Sequence, residues 1–148
     1  MMRLNCVSSG ISGEYLTAGE LSRRGYIASL TLRNSKGVDI LVANADATKS
    51  LAIQVKTNQG SQKWWLLNKK AESFHAKNLF YIFVNLNNGK APEYFIVPSK
   101  IVAQFIKENH ATWLKTPGRR GQQHKDNPMR AFIDKEQKYL DRWDLLNL

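Results

Sequence analysis

The sequence predicts one α/β domain spanning residues 1–148, a β-sheet flanked by helices with an extra helix at the C-terminus. Three observations point there. Apolar runs of strand length, bounded by turn residues, fill the middle of the chain. Segments with helical spacing stand before and after them. No repeat, low-complexity run or linker divides the sequence, and 148 residues is the size of one ordinary domain.

Taken in order, residues 13–24 read as a helix ended by Gly25, a residue favoured just past a helix C-terminus. Ile27 to Arg33 alternates as a strand, and Asn34-Ser35-Lys36-Gly37 is a turn. Val38 to Ala43 and Leu51 to Thr57 are two strands joined by the polar hairpin loop Asn44 to Ser50. Residues 62–78 are ambiguous, with Trp64 to Leu67 as a short strand and a basic helical turn after it. Leu79 to Leu86 and Tyr94 to Val97 are strands around the turn Asn87-Asn88-Gly89. Ser99 is placed to cap a helix from Lys100 to Lys115, whose apolar residues keep 3.6-residue spacing. Thr116 to Asp126 is a loop. A last helix within Pro128–Leu146 is expected from Phe132, Ile133, Tyr139, Leu140 and Trp143, which recur at heptad-like intervals.

Composition narrows the function. Hydrophobic residues are 43% and charged ones 23%, a globular rather than disordered balance. The longest apolar stretch, Phe80 to Val84, is too short to span a bilayer, and the first residues lack the apolar core of a secretory signal. A single cysteine, Cys6, cannot form an internal disulfide, so a cytoplasmic location is expected. The net charge is +10, of which +3 lies in residues 1–60 (7 basic, 4 acidic) and +7 in residues 61–148 (15 basic, 8 acidic). Such a surface favours a polyanionic partner, nucleic acid before anionic membrane.

Two of the strands carry groups that fit poorly in a half-buried sheet. Asp39 stands inside Val-Asp-Ile-Leu-Val, and Gln54 and Lys56 punctuate Leu-Ala-Ile-Gln-Val-Lys-Thr. A carboxylate there costs free energy unless a charge compensates it. Alternation puts Gln54 and Lys56 on one face of their strand, and a hairpin brings Asp39 beside them. Glu14, Ala18, Leu21 and Gly25 share one helix face, which places Glu14 on the stripe that packs on the sheet, whereas Glu20 faces solvent. Glu14, Asp39, Gln54 and Lys56 are therefore expected to converge on one spot. Two carboxylates with an amide oxygen make the hard oxygen cage that Mg²⁺ prefers, and a lysine beside it stabilises charge in a phosphoryl transition state.

At this point the residues resemble a known family. Gly-Glu-(x5)-Glu-Leu-(x3)-Gly-Tyr, then Gly-Val-Asp-Ile, then Ile-Gln-Val-Lys-Thr is similar to the PD-(D/E)XK nuclease superfamily, in particular its restriction-endonuclease-like and Holliday-junction-resolvase-like branches. The motifs cover residues 13–57. The resemblance implies a helix, a mixed central sheet of about four strands and a second helix packed on it. It implies Glu14, Asp39, Gln54 and Lys56 as catalytic residues. Glu14, Asp39, Gln54 and the Val55 main-chain carbonyl would be the ligands of Mg²⁺ (or Mn²⁺). The activity implied is a Mg-dependent endodeoxyribonuclease. Gly37-Val38 stands where the family's proline usually stands, and Gln54 replaces the usual acid, which lowers the charge of the site from −3 to −2.

Each residue also has an ordinary reading. Glu14 fits a charge near a helix N-terminus, Asp39 a turn residue after Gly37, and Gln54 with Lys56 the wet face of an edge strand. Beyond the motifs, Lys63, Lys69, Lys70 and Lys77 are placed to line a phosphate track, and Arg119, Arg120 and Lys125 to clamp a nucleic-acid backbone from their loop. Trp64 and Trp65 suit base stacking or the core. His75, His110, His124 and Cys6 lack zinc-site spacing. The expected partner is DNA, branched forms or RNA remaining open, with a homodimer expected because nucleases of this kind often dimerise to cut two strands. The alternatives are a catalytically degenerate nucleic-acid-binding module of the same fold, and a basic protein-interaction or immunity protein.

Overall fold

Strand β5 (Leu79–Asn85) is buried at every residue, and the architecture is built outward from it. In the computed structural model, which describes residues 2–32 and 35–148, the sheet has five strands in the order β1-β2-β3-β5-β6. These are β1 (Ile27–Leu30), β2 (Ile40–Ala43), β3 (Ser50–Asn58), β5, and β6 (Glu93–Pro98). The sheet is mixed: β3 and β5 run parallel, and every other pairing is antiparallel. A parallel neighbour requires a crossover. Here β4 (Trp64–Asn68) and a 3₁₀ turn (Lys69–Glu72) supply it.

An unbroken apolar run suits a strand covered on both faces. Phe80, Ile82 and Val84 of β5 point into one core with Leu21, Ile40, Val42, Ile53 and Val55, closed by helix α1 (Cys6–Arg23) and by Trp143 and Leu146. Tyr81 and Phe83 point into a second core with Trp65, Phe95, Val97, Val102, Ile106 and Phe132, beneath helix α2 (Ser99–Lys115). Strand β3 obeys the same alternation. Ile53 and Val55 enter the α1 core, so Gln54 and Lys56 stand on the α2 side.

Helix α1 begins earlier than residue 13 because Asn5 caps it, its Oδ1 accepting from the Ser8 N–H at 2.8 Å. The buried stripe is Ser9, Gly13, Thr17 and Leu21, with Glu14 half-buried at its margin. Gly25 (φ +88°) terminates the helix as expected. Glu20, expected in solvent, is instead mostly covered and held by Arg23 and Arg24 at 2.8 and 3.0 Å. The strand expected to reach Arg33 ends at Leu30; Arg33 and Asn34 lie outside the described residues.

Two further expectations are corrected. Ser99 does not cap α2. Its hydroxyl accepts from the Ala76 N–H at 3.1 Å and donates to the Ala76 carbonyl at 3.0 Å, tying the helix start to the segment before β5. The C-terminal helix is replaced by strand β7 (Met129–Ile133), paired antiparallel with β4, and by a 3₁₀ turn (Trp143–Leu146). Phe132 and Arg130 alternate inward along β7, and the Asp134 carboxylate accepts from the Lys138 and Tyr139 N–H groups, which closes a turn where a helix would have continued. Strand pairing with β4 satisfies backbone groups that helical spacing alone would have satisfied locally.

Helix α1 seats on β3 through Gly13. A Cβ at that position would lie 3.0 Å from both Cβ and Cγ2 of Thr57, a clash that rotating the threonine cannot relieve. Gly10 and Gly19 of the same helix have open space where a Cβ would go. Gly13→Ala is therefore expected to destabilise by about 1–3 kcal/mol through overpacking. Gly10→Ala and Gly19→Ala should stabilise by about 0.5–1 kcal/mol through helix propensity. Chemical denaturation of the three variants checks this; equal effects would remove the close seating.

Candidate active site

The site is organised by an interruption in the sheet. The β2–β3 ladder begins at Ile40 opposite Ile53, and Asp39 stands one residue before it. The Asp39 N–H donates to the Ile53 carbonyl at 2.8 Å. Two residues along β3, the Val55 N–H donates to Asp39 Oδ2 at 2.7 Å. A side-chain carboxylate thus takes the place that a main-chain carbonyl of β2 would hold. Backbone groups two residues apart face the same edge, so the Val55 carbonyl turns to the edge that Ile53 shows to β2. Strand β3 runs on to Asn58, paired with β5 on its other side only.

Electrostatics mark the same spot. Burial pushes the Asp39 carboxyl above the usual carboxylate range, against the lowering effects of the Val55 N–H and the Lys56 ammonium. Tyr81 pairs with Gln54 across β3 and β5, within reach of the Asp39 charge. Burial, and then the charge of Asp39, push the Tyr81 phenol up to about 12. Among the described residues Asp39 Oδ1 takes no hydrogen bond.

Glu14 reaches this region from the other layer. Gly13 packs on Thr57, so α1 carries Glu14 on the opposite face of the sheet from Gln54 and Lys56. It stands level with the stretch of β3 that extends beyond β2. The structure brings Asp39, Gln54, Val55 and Lys56 together, whereas Glu14, expected to converge with them, is carried by α1 on the other face of the sheet.

A cleft of about 620 Å³ opens beside Gln54 and Lys56, bordered by Lys36, Lys70, Phe74 and Tyr81. Its outer wall is the 3₁₀ turn Lys69–Glu72, pinned by Arg130, whose Nε donates to Glu72 Oε1 and whose Nη1 donates to the Asn127 and Met129 carbonyls. Gly37 (φ +71°) lies against the Phe74 ring, where a Cβ would lie 2.5 Å from a ring carbon. The glycine before Val38-Asp39 serves both the backbone conformation and this contact.

The expected phosphate contacts are dispersed. Lys70 borders the cleft, whereas Lys69 lines an adjoining recess with Lys107. Lys63 is held by Glu93 at 2.7 Å and lies over the Phe95 ring, so its charge is already engaged. Lys77 borders a separate recess near the C-terminus. Arg119, Arg120 and Lys125 are exposed on the loop between α2 and β7 and border none of these cavities. That loop is anchored by His124 stacked on Trp113 at 4.0 Å and by Asp126 on His110 Nε2 at 2.7 Å. Trp65 is core and donates to the Val84 carbonyl; Trp64 is exposed. Lys36, Phe74 and Tyr81 have no motif. The hydroxyl inside Phe80 to Val84 is their sole signal in the sequence, and it needs the strand register to become one.

The chain shares its fold with a solved bacterial homing endonuclease, I-Ssp6803I, at a TM-score of 0.60 and 9% identity over 98% of this chain and 94% of that one. No protein-family model and no curated protein matches it. Among the described residues, no helix is long and apolar enough to cross a membrane.

The donor set fits a hard divalent cation: a half-buried carboxylate with one oxygen outside any hydrogen bond among the described residues, an amide oxygen, and a main-chain carbonyl at an open edge. The raised Asp39 pKa sets a sign. The folded state holds its proton more tightly than the unfolded state, so this carboxyl contributes stability at low pH that is lost as pH rises through its folded pKa. At neutral pH without divalent ions, Asp39→Asn should therefore raise Tm by a few degrees, its amide oxygen still able to accept from Val55. Added Mg²⁺ or Mn²⁺ should raise Tm of the wild type and not of the variant. Thermal melts with and without EDTA check both; a cation shift that survives in Asp39→Asn would place the ion elsewhere.

Proposed function

We propose that the chain is a metal-dependent endonuclease that hydrolyses DNA phosphodiester bonds, with the PD-(D/E)XK arrangement of residues. One observation carries the reading: the Asp39 carboxylate is hydrogen-bonded to the Val55 N–H where β2 leaves β3, between Gln54 and Lys56 on that strand, with the Lys56 ammonium within electrostatic reach. The net charge of +10 and the fold shared with a homing endonuclease support a nucleic-acid substrate.

Asp39, Glu14, the Gln54 amide oxygen and the Val55 carbonyl would hold Mg²⁺ (or Mn²⁺). When bound, the ion would neutralise charge on the scissile phosphate. Lys56 donates to a phosphoryl oxygen and stabilises the charge that builds there as water displaces the leaving strand. Burial of the Asp39–Val55 pair keeps the carboxylate from swinging away. Gln54 favours a second reading, a nucleic-acid-binding module that has lost catalysis, since an amide binds a cation less strongly than a carboxylate.

Plasmid nicking with Mg²⁺, Mn²⁺ and EDTA separates the two. Asp39→Ala or Lys56→Ala is expected to reduce metal-dependent nicking by about 10²–10³-fold with the fold intact by circular dichroism; cleavage retained in either removes that residue from the site. Gln54→Glu should bind Mg²⁺ or Mn²⁺ more tightly by calorimetry, and no gain would take Gln54 out of the ligand set.

A further inference from the structure

We propose that the cleft beside Gln54 and Lys56 holds an unpaired DNA strand, so that the substrate carries a single-stranded segment next to the scissile phosphate. The cutting rests on the nuclease reading above; the strand binding does not.

Size is the first ground. At about 620 Å³ the cleft lies within the range of roughly 300–1,000 Å³ that encloses a small molecule. A concavity of that size has room for a single nucleotide. Chemistry is the second. Lys36, Lys56 and Lys70 border it from three separate segments, the turn before β2, strand β3 and the 3₁₀ turn after β4. Among the described residues neither Lys36 nor Lys70 is in an ion pair, in contrast to Lys63 with Glu93. Between the ammoniums stands an aromatic ring. Phe74 is 38% exposed, seated on Gly37 and turned to the cleft rather than to either core. Lysines that meet a backbone, alternating with a ring that meets a base, are the working parts of single-strand binding. Placement is the third ground. Asp39 is bonded to the Val55 N–H, between Gln54 and Lys56, and both of these line the cleft, so a nucleotide stacked on Phe74 neighbours a phosphate at Asp39.

Fluorescence anisotropy in EDTA tests this with a labelled single strand, a blunt duplex of the same sequence, and that duplex carrying a single-stranded flap. The single strand and the flap should bind at least about tenfold more tightly than the blunt duplex, and Phe74→Leu, which keeps an apolar contact on Gly37, should erase about tenfold of that. Lys36→Ala and Lys70→Ala should each lower the salt slope for the single strand by about 0.7. Equal affinity for blunt duplex and flap overturns the proposal. So does a Phe74→Leu loss shared by all three ligands, or, if that variant unfolds, unchanged salt slopes in both lysine variants. Metal-dependent cutting of blunt duplex without flap preference overturns this proposal and leaves the nuclease reading standing. Phe74-dependent flap binding without cutting does the reverse.

Discussion

The site depends on one hydrogen bond, from the Val55 N–H to the Asp39 carboxylate. Where β2 departs, β3 would otherwise present an unpaired N–H in a half-buried place, a loss of about 1–3 kcal/mol. A carboxylate satisfies that donor and can do what a main-chain carbonyl cannot, namely carry charge into the edge of a sheet. The same bond helps Asp39 tolerate burial, although burial still holds its pKa above the usual carboxylate range. Sheet termination and site chemistry are thus one feature. Moving the end of β2 by one residue would turn the aspartate to the other face and leave Val55 unpaired.

Strand β3 then serves both layers. Ile53, Val55 and Thr57 anchor α1, and Gln54 with Lys56 faces the cleft. Because the two sets alternate, the position of Glu14 relative to Asp39 is set through β3, by the seating of Gly13 on Thr57. A glycine at that point is a requirement of geometry rather than of flexibility. On the other side, buried Arg130 fixes the 3₁₀ turn that forms the outer wall, so the cleft has rigid support from β7.

These relations divide into those the sequence displays and those it hides. The α–β–β–β order, the Gly25 stop and the shared face of Gln54 and Lys56 follow from local rules of spacing, and the structure has each of them. Residues 128–146 mislead because Phe132 and its apolar neighbours recur at near-heptad intervals, while their state is decided by β4, some sixty residues away, as the Trp64–Ile133 pairing shows. Lys63 reads as a free cation until Glu93 is folded against it. Tyr81 is invisible within an apolar run until the parallel register sets it beside Gln54. What hides in each case is a partner distant in sequence.

Gln54 can be weighed in those same terms. It pairs with Tyr81 across β3 and β5 and stands between Ile53 and Val55, the two residues whose backbone groups bond to Asp39. A carboxylate there would add like charge to a neighbour that burial already drives toward its protonated form, and the two would titrate as a pair with at least one pKa raised further. It would also stand beside Tyr81, whose neutral phenol brings no positive charge to offset it. The amide avoids both costs in the metal-free chain and keeps an oxygen for a cation. In the proposed metal-binding reading it gives up affinity in return, and the lysines that border the cleft carry a larger share of the charge balance at the site.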